Sequence, residues 1–73
     1  MTLDLRVKLG KRIRQLRRAE GWRQIDLAAH AEISKTHVCA IELGQKEIGL
    51  DALNRIAAAF NMKPSDLLKL AGQ

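Results

Sequence analysis

Two histidines and one cysteine are the side chains of this sequence best suited to metal binding or nucleophilic catalysis. His37 and Cys39 are two residues apart in a helical pattern, so they point to different faces, and His30 belongs to the preceding helix. The sequence has no glycine-rich phosphate loop, HExxH pair or nucleophile elbow, and its eight acidic residues are scattered. We therefore expect no metal, no cofactor and no enzymatic activity.

The basic residues are concentrated at the beginning of the chain. Of the 13 lysines and arginines, eight lie in residues 1–23 against two acidic residues, a net charge of +6, while the remainder carries a net charge of −1. A solvated helix face would explain this pattern, and so would a surface for a polyanion such as nucleic acid or an anionic membrane. Composition by itself leaves both interpretations open.

Length and apolar content limit the class of protein. A chain of 73 residues has room for one domain, and so small a domain buries only about 60% of its unfolded surface. Cys39 is the single cysteine, which excludes an intrachain disulfide and fits a reducing compartment. The longest uncharged apolar-rich run, residues 56–62, is too short to span a bilayer. We expect one domain, residues 1–73, in a soluble cytoplasmic protein without a membrane partner.

Helical periodicity covers nearly the whole sequence and predicts an all-α fold of five short helices. The first helix ends near Gly21, and Ser34 and Gly44 are suited to cap the start and end of the third. The fourth helix follows Gly49, and Pro64 fits the first turn of the fifth. Apolar residues recur at helical spacing in the first, second, fourth and fifth helices: Leu5, Leu9, Ile13, Leu16; Ile25, Leu27, Ala28, Ala31; Leu50, Leu53, Ile56, Ala57, Phe60; Leu67, Leu68, Leu70.

The second and third helices, about residues 24–43, meet the spacing requirements of a helix-turn-helix unit. The fifth position, counted from Gln24, must be small because the helices cross closely there, and Ala28 occupies it. Inward-pointing apolar residues are needed from both helices, and five positions supply them: Leu27, Ala31, Ile33, Val38 and Ile41.

From about Leu9 to Leu70 the sequence resembles the lambda-repressor/Cro-like (Xre-type) helix-turn-helix family. The segments that carry the resemblance are the pair Leu16-Arg17, GWRQ, LAAHAEIS, IELG and IGLDALNRIAAAF. The resemblance implies a compact five-helix lambda-repressor-like DNA-binding domain. In such a domain the N-terminal residues of the third helix reach base edges in the major groove, while the second helix crosses the backbone.

Individual roles follow from this resemblance. The residues implied at base edges are Lys35, Thr36, Ala40 and, at the edge of the surface, His37. Those implied at the DNA backbone are Gln24, Arg23, Arg17, Lys46 and Ser34. Arg17 and Glu42 are expected to pair, as an exposed ion pair that orients the third helix against the first.

Each of these residues also has a structural alternative. Ser34 is an N-cap whether or not it contacts a phosphate, and Lys35, Thr36 and His37 could be plain solvated side chains. Trp22 is expected to pack at a helix boundary, because two aromatic residues are too few for the serial stacking of single strands. Double-stranded DNA is therefore the favoured nucleic acid.

Two positions depart from the family pattern. Arg23 occupies the place of the usual serine or threonine before the glutamine, and an N-cap worth about 1 kcal/mol is expected to be missing there. Glu32 occupies a turn position that often has glycine, at a cost of roughly 1 kcal/mol in a left-handed conformation.

The last two helices offer more apolar residues than a small core needs. Phe60, Met62, Leu67, Leu68 and Leu70 close the bundle, and any exposed part of this set is expected to form the two-fold interface of a homodimer. Two recognition helices about 34 Å apart would then read a pseudo-palindromic operator.

The sequence thus predicts a sequence-specific transcriptional regulator, similar to restriction-modification controller proteins and small phage Cro-like repressors. Because 73 residues leave no room for an effector domain, we expect regulation by its own concentration and by cooperative dimers. The alternative is a protein-interaction module, such as the antitoxin of a toxin-antitoxin pair or a bridging factor to RNA polymerase. In that case substitutions at Lys35 or Thr36 would leave DNA binding unaltered, whereas substitutions at Leu67 or Leu70 would abolish capture of a second protein.

Overall fold

Five helices form the described part of the protein. The structure, a computed structural model, describes residues 4–71, and of residues 70 and 71 it describes the backbone alone. The helices are α1 (Leu5–Ala19), α2 (Gln24–Ala31), α3 (Lys35–Glu42), α4 (Leu50–Ala59) and α5 (Pro64–Ala71), and these residues contain no strand. The predicted all-α, five-helix fold is confirmed.

Short polar side chains and glycines set the helix boundaries. The carboxylate of Asp4 accepts a hydrogen bond from the backbone N–H of Arg6 (2.9 Å) at the start of α1. Ser34 Oγ accepts one from the N–H of His37 (3.0 Å), which confirms the predicted cap of α3. Gly44, with φ of +71°, takes the left-handed conformation that ends α3. These local signals explain why sequence periodicity located the helices correctly.

All five helices close around one core. Its largest fully buried side chains are contributed one by each helix, in chain order: Ile13, Leu27, Val38, Ile56 and Leu67. Burial of such a side chain stabilises the fold by about 1.5–3 kcal/mol relative to leaving it exposed. No single helix can be removed without opening this core.

Helices α1 and α3 approach each other closely at Gly10. Gly10 of α1 lies against the last turn of α3, where an added Cβ would stand 2.7 Å from the carbonyl oxygen of Glu42 and nearer still to that of Ile41. Because both obstacles are backbone atoms, neither can rotate away. The absence of a side chain at Gly10 therefore sets the separation of α1 and α3.

The apolar stripes predicted for α1 and α4 fail at their first residues. Leu5 is 53% exposed and Leu50 is 80% exposed, whereas Leu9 and Leu53, one turn further on, are buried. Both exposed residues stand at the very start of their helices. The apolar periodicity extends to the first residue of each helix, but no neighbouring helix covers the side chain at that position.

Trp22 is a packing residue, as predicted. It is half-buried in the loop between α1 and α2, and its ring stacks on His30 of α2 (centroids 4.2 Å apart) and on Phe60 at the end of α4 (5.5 Å). The stack joins three segments of the chain on the side of α2.

None of the helices within residues 4–71 has the length and apolar content of a membrane span.

Candidate nucleic-acid interface

The helix-turn-helix unit consists of α2, a connection of three residues (32–34) and α3. Ala28 is buried at the crossing, and the inward positions Leu27, Ala31, Val38 and Ile41 are buried too, while Ile33 is half-buried against the core. These placements are the ones that the spacing predicted. The buried residues attach one side of α3 to the core, and the other side of α3 faces away from the core.

Glu32 adopts the left-handed conformation at the turn, with φ of 57° and ψ of 42°. An arginine of α4 holds this turn, because Arg55 Nη1 donates to the Glu32 carbonyl oxygen (3.4 Å) and to its carboxylate (3.3 Å). The non-glycine residue at this position is therefore accommodated with a contact from outside the unit, which offsets part of its conformational cost.

The outward side of α3 forms a shallow depression. Its lining brings together three of the residues predicted at base edges, Lys35, Thr36 and Ala40, of which the first two are exposed. His37, the fourth, is half-buried and lies outside this lining. Two further residues that sequence reasoning did not assign complete the depression, Cys39 and Gln45.

Gln45 lies beyond the end of α3 and returns to it through the left-handed Gly44. Its backbone N–H donates to the carbonyl oxygen of Ala40 (3.0 Å), which closes the last turn in the manner of a Schellman motif. Gly44 alone would have been enough to predict from the sequence that the chain turns back toward α3 at Gln45. Cys39, four residues after Lys35, could have been found from helical spacing alone.

Arg17 and Glu42 form a buried ion pair, not the exposed pair that was expected. Arg17 Nε lies 2.6 Å from Glu42 Oε2 and Nη2 lies 3.1 Å from Oε1, with the two side chains only 9% and 2% exposed. A third donor, Nη1, reaches the carbonyl oxygen of Trp22 (2.8 Å). The expectation that Arg17 contacts a phosphate is corrected, because its guanidinium is committed inside the protein.

Gln24 extends the same network. Its Nε2 donates to Glu42 Oε1 (3.2 Å), so that the first residue of α2 and the last residue of α3 are joined. The side chain is half-buried, and the glutamine is thereby a brace between the two helices. Arg17, Gln24 and Glu42 together fix the orientation of α3 relative to α1 and α2.

Arg23 precedes α2 and its side chain is exposed. Its backbone N–H donates to the carboxylate of Asp26 (2.8 Å), and its guanidinium contacts the same carboxylate (3.2 and 3.3 Å). Hydrogen bonds from the Arg23 side chain, and then from its backbone N–H, hold the pKa of Asp26 below its ordinary value of 3.8. The helix start thought to lack a cap is stabilised from its third residue instead.

The remaining candidates for backbone contact, Ser34 and Lys46, are both exposed. Ser34 precedes α3 and Lys46 follows Gln45, so they border the depression at its two ends in the chain. Among residues 4–71, no three His, Cys, Asp or Glu side chains come together as a metal site requires.

The predicted dimer surface requires correction. Leu67 is fully buried in the core, and Phe60 and Met62 are half-buried against it, so these residues mainly close the monomer. Leu68 is 38% exposed, and the side chain of Leu70 lies outside the described residues. The sequence pattern could not separate Leu67 from Leu68, because neighbouring positions of an apolar helix differ only in what covers them.

A second apolar surface lies where α1, α4 and α5 meet, and it is called the apolar groove below. It is lined by Leu5, Leu9, Ile48, Leu50, Leu53 and Leu68, with Arg6 and Glu47 as its charged residues. Three of its leucines are exposed: Leu5, Leu50 and Leu68. Leu68 is the one residue that it shares with the predicted interface.

A recognition helix held by a buried core on one side and open on the other defines the class of helix-turn-helix proteins. The family model described as "Helix-turn-helix domain" matches residues 10–73, and the chain belongs to this family. Control protein C.BamHI of Bacillus amyloliquefaciens is 32% identical over 69 residues, which are 93% of this chain and 85% of that protein.

The chain is also similar to a solved structure and to a further regulator in sequence. The crystal structure of the restriction-modification controller protein C.AhdI from Aeromonas hydrophila is 34% identical and has a TM-score of 0.81, covering 85% of this chain and 94% of that one. The HTH-type transcriptional regulator DdrOP3 of Deinococcus deserti is 33% identical over 63 residues, or 86% of this chain. The chain spans about half of that regulator's length, 49%.

Proposed function

We propose that this protein regulates transcription by reading double-stranded DNA in a sequence-specific manner with the outward side of α3. The observation that carries the proposal is that Lys35 and Thr36 are exposed on α3 while Val38 and Ile41, on its other side, are buried. A helix held in this way can lie in the major groove with its first residues at base edges. The protein is thus a DNA-binding regulator, which is not a class of enzyme.

The chemistry of the depression suits base edges. Lysine donates to the O6 and N7 acceptors of guanine, threonine both donates and accepts, and the methyl group of Ala40 can contact a thymine methyl group. Three exposed residues are proposed to contact phosphates: Arg23 before α2, Ser34 before α3 and Lys46 after α3. Gln24, held by Glu42, is proposed to donate the second N–H of its amide to a phosphate at the start of α2.

Sequence similarity to control proteins supports a more specific role. Because both C.BamHI and C.AhdI match over most of their own length, we propose a controller of the restriction-modification type. We further propose that the protein acts in the cytoplasm, where such a regulator meets DNA.

A homodimer is proposed because one recognition helix covers only a few base pairs, and specificity on a genome requires more. The apolar groove is the surface proposed for the second copy. Its exposed leucines supply apolar area, and it carries both a positive and a negative residue, Arg6 and Glu47. In a two-fold symmetric dimer the groove of one copy packs on the same groove of the other, so that Arg6 of each copy can face Glu47 of the partner.

The experiment that tests the reading of DNA is selection of binding sites from randomised duplexes, followed by a salt titration on the selected site. We expect a two-fold symmetric motif. Lys35→Ala and Thr36→Ala should relax the preference at single positions, by about 1–3 kcal/mol each. Lys46→Ala should weaken all sequences alike and reduce the salt slope by about 1.

Lys63→Ala is the matched control, since Lys63 is an exposed lysine in the connection between α4 and α5, away from the depression. Its binding and sequence preference should equal those of the wild type. Salt-sensitive binding without an enriched motif would contradict the proposal and favour the interaction-module alternative.

A further inference from the structure

Gln45 lines the depression on α3 although it does not belong to the helix. It shares that depression with Lys35, Thr36, Cys39 and Ala40, ten residues or fewer away in the chain. Gln45 is exposed, and it stands at the point where the chain leaves the recognition helix. A residue so placed faces whatever the outward side of α3 faces.

The backbone at Gln45 is held in place by two contacts. Its N–H donates to the carbonyl oxygen of Ala40 at 3.0 Å, which ties it to the last turn of α3. The preceding Gly44 packs on α1 so closely that an added Cβ would stand 2.9 Å from Cγ2 of Val7. The side chain therefore extends from a fixed point, and less conformational entropy is lost when it orders on a ligand.

A primary amide on a surface that faces base edges has a specific chemical preference. Its oxygen can accept from N6 of adenine while its nitrogen donates to N7, and adenine is the base that offers this donor and acceptor side by side in the major groove. Lysine and alanine in the same depression offer no such pair, and the threonine hydroxyl carries donor and acceptor on a single oxygen, which cannot span N6 and N7 together. Gln45 is thus the residue of this surface whose chemistry selects adenine.

We propose that Gln45 reads an adenine in the major groove and is a specificity-determining residue outside the recognition helix. The inference rests on the proposed function, since it requires that the depression meet base edges. It differs from the role of Lys46, the next residue, whose contact with a phosphate carries no sequence information.

The test compares wild type, Gln45→Ala and Gln45→Glu in selections from randomised duplex DNA. For the wild type we expect an A·T pair at one position of each half-site, with roughly tenfold weaker binding when it is replaced. Gln45→Ala should lose the preference at that position and keep it elsewhere. Gln45→Glu should shift the preference toward C·G, because a carboxylate accepts from N4 of cytosine.

A chemical substitution in the DNA isolates the contact itself. Replacing the adenine by 7-deazaadenine removes the N7 acceptor and keeps N6, so it should weaken binding of the wild type by less than replacement of the whole base pair, while leaving binding of Gln45→Ala unchanged. Thermal unfolding of both variants should match the wild type, since the side chain is exposed.

The outcomes separate this inference from the proposed function. If the wild type selects a motif and Gln45→Ala retains the same preference at every position, the role of Gln45 is overturned and the proposed function stands. This holds whether the variant binds all sequences more weakly or binds them as tightly as the wild type. If the wild type selects no motif, both are overturned.

Discussion

Arg17 shows how a basic residue assigned to DNA can instead hold the binding surface together. Arg17 belongs to the basic first helix, yet its side chain is buried, and its three hydrogen bonds end on Glu42 and on the carbonyl oxygen of Trp22. Glu42 in turn accepts from Gln24. Removal of the arginine would leave a carboxylate buried without its counter-charge.

We expect Arg17→Met to destabilise the protein by about 3–5 kcal/mol, because an unpaired buried charge is costly. The double variant Arg17→Met with Glu42→Leu should recover most of this loss, since an apolar pair of similar volume is often neutral. Urea unfolding followed by circular dichroism measures both. Arg14→Ala, at an exposed arginine of the same helix, should stay within about 0.5 kcal/mol of wild type. Equal stability of Arg17→Met and wild type would refute the structural role.

Asp26 is predicted to make stability depend on pH in the acid range. Hydrogen bonds from Arg23 lower the pKa of Asp26 below 3.8 in the folded protein. Its stabilising effect is therefore present above the unfolded pKa of about 3.9 and is lost as the pH falls through the lower folded value. Asp26→Asn should be less stable than wild type near pH 7, and the difference should be lost as the pH falls through the lowered folded-state pKa of Asp26.

The measurement for Asp26 is the midpoint of urea unfolding as a function of pH. Asp66→Asn, the same substitution at an exposed carboxylate in the first turn of α5, is the control for loss of charge near a helix start. If the stability difference between Asp26→Asn and wild type persisted at the lowest pH measured, the contacts of the Asp26 carboxylate with Arg23 would not be its cause.

At the scale of helices, the packing of α1 on α3 determines where the recognition helix sits. Alanine is favoured over glycine within a helix by about 1 kcal/mol. At Gly10, however, the added methyl group would meet the carbonyl oxygens of Ile41 and Glu42. The steric term opposes the helix propensity, and it acts on the backbone of the last turn of α3.

Gly10→Ala is expected to destabilise the protein by about 1–3 kcal/mol, in spite of its better helix propensity. It should also weaken DNA binding, because α3 can relieve the clash only by moving away from α1. Thermal unfolding and titration with the selected site check the two effects. Gly49→Ser serves as control, since nothing lies within 4 Å of a Cβ at Gly49 and the change at this N-cap is worth a few tenths of a kcal/mol. A stabilised Gly10→Ala would contradict the packing argument.

At the scale of the whole molecule, the apolar groove and the depression on α3 divide two tasks between separate surfaces. The groove is built from α1, α4, α5 and the segment before α4, whereas the depression is built from α3 and the residue that follows Gly44. Substitutions in the groove can thus alter assembly without touching base contacts.

Leu50→Asp is expected to abolish dimerisation while the fold is retained, because Leu50 is 80% exposed and stands at the start of a helix, where a carboxylate is favoured. Binding to the two-fold site should weaken about 100-fold, as the benefit of two linked contacts is lost. Sedimentation at micromolar concentration and titration of full and half sites measure this. Asn61→Asp adds the same charge at the opposite end of α4 and should remain dimeric. A dimeric Leu50→Asp variant would exclude the groove as the interface.

The sequence by itself determined the five helices, their caps at Ser34 and Gly44, and the inward positions of the helix-turn-helix unit. These features depend on the 3.6-residue period and on hydrogen bonds between residues a few positions apart, which the order of residues displays directly.

Only the tertiary structure decided which positions at the ends and edges of the apolar helix faces are covered by another helix. It buried Arg17 and Leu67, left Leu5 and Leu50 exposed, and brought Gln45 onto the surface of α3. Such outcomes depend on the packing of helices distant in the chain, and periodicity within one helix carries no information about its neighbours.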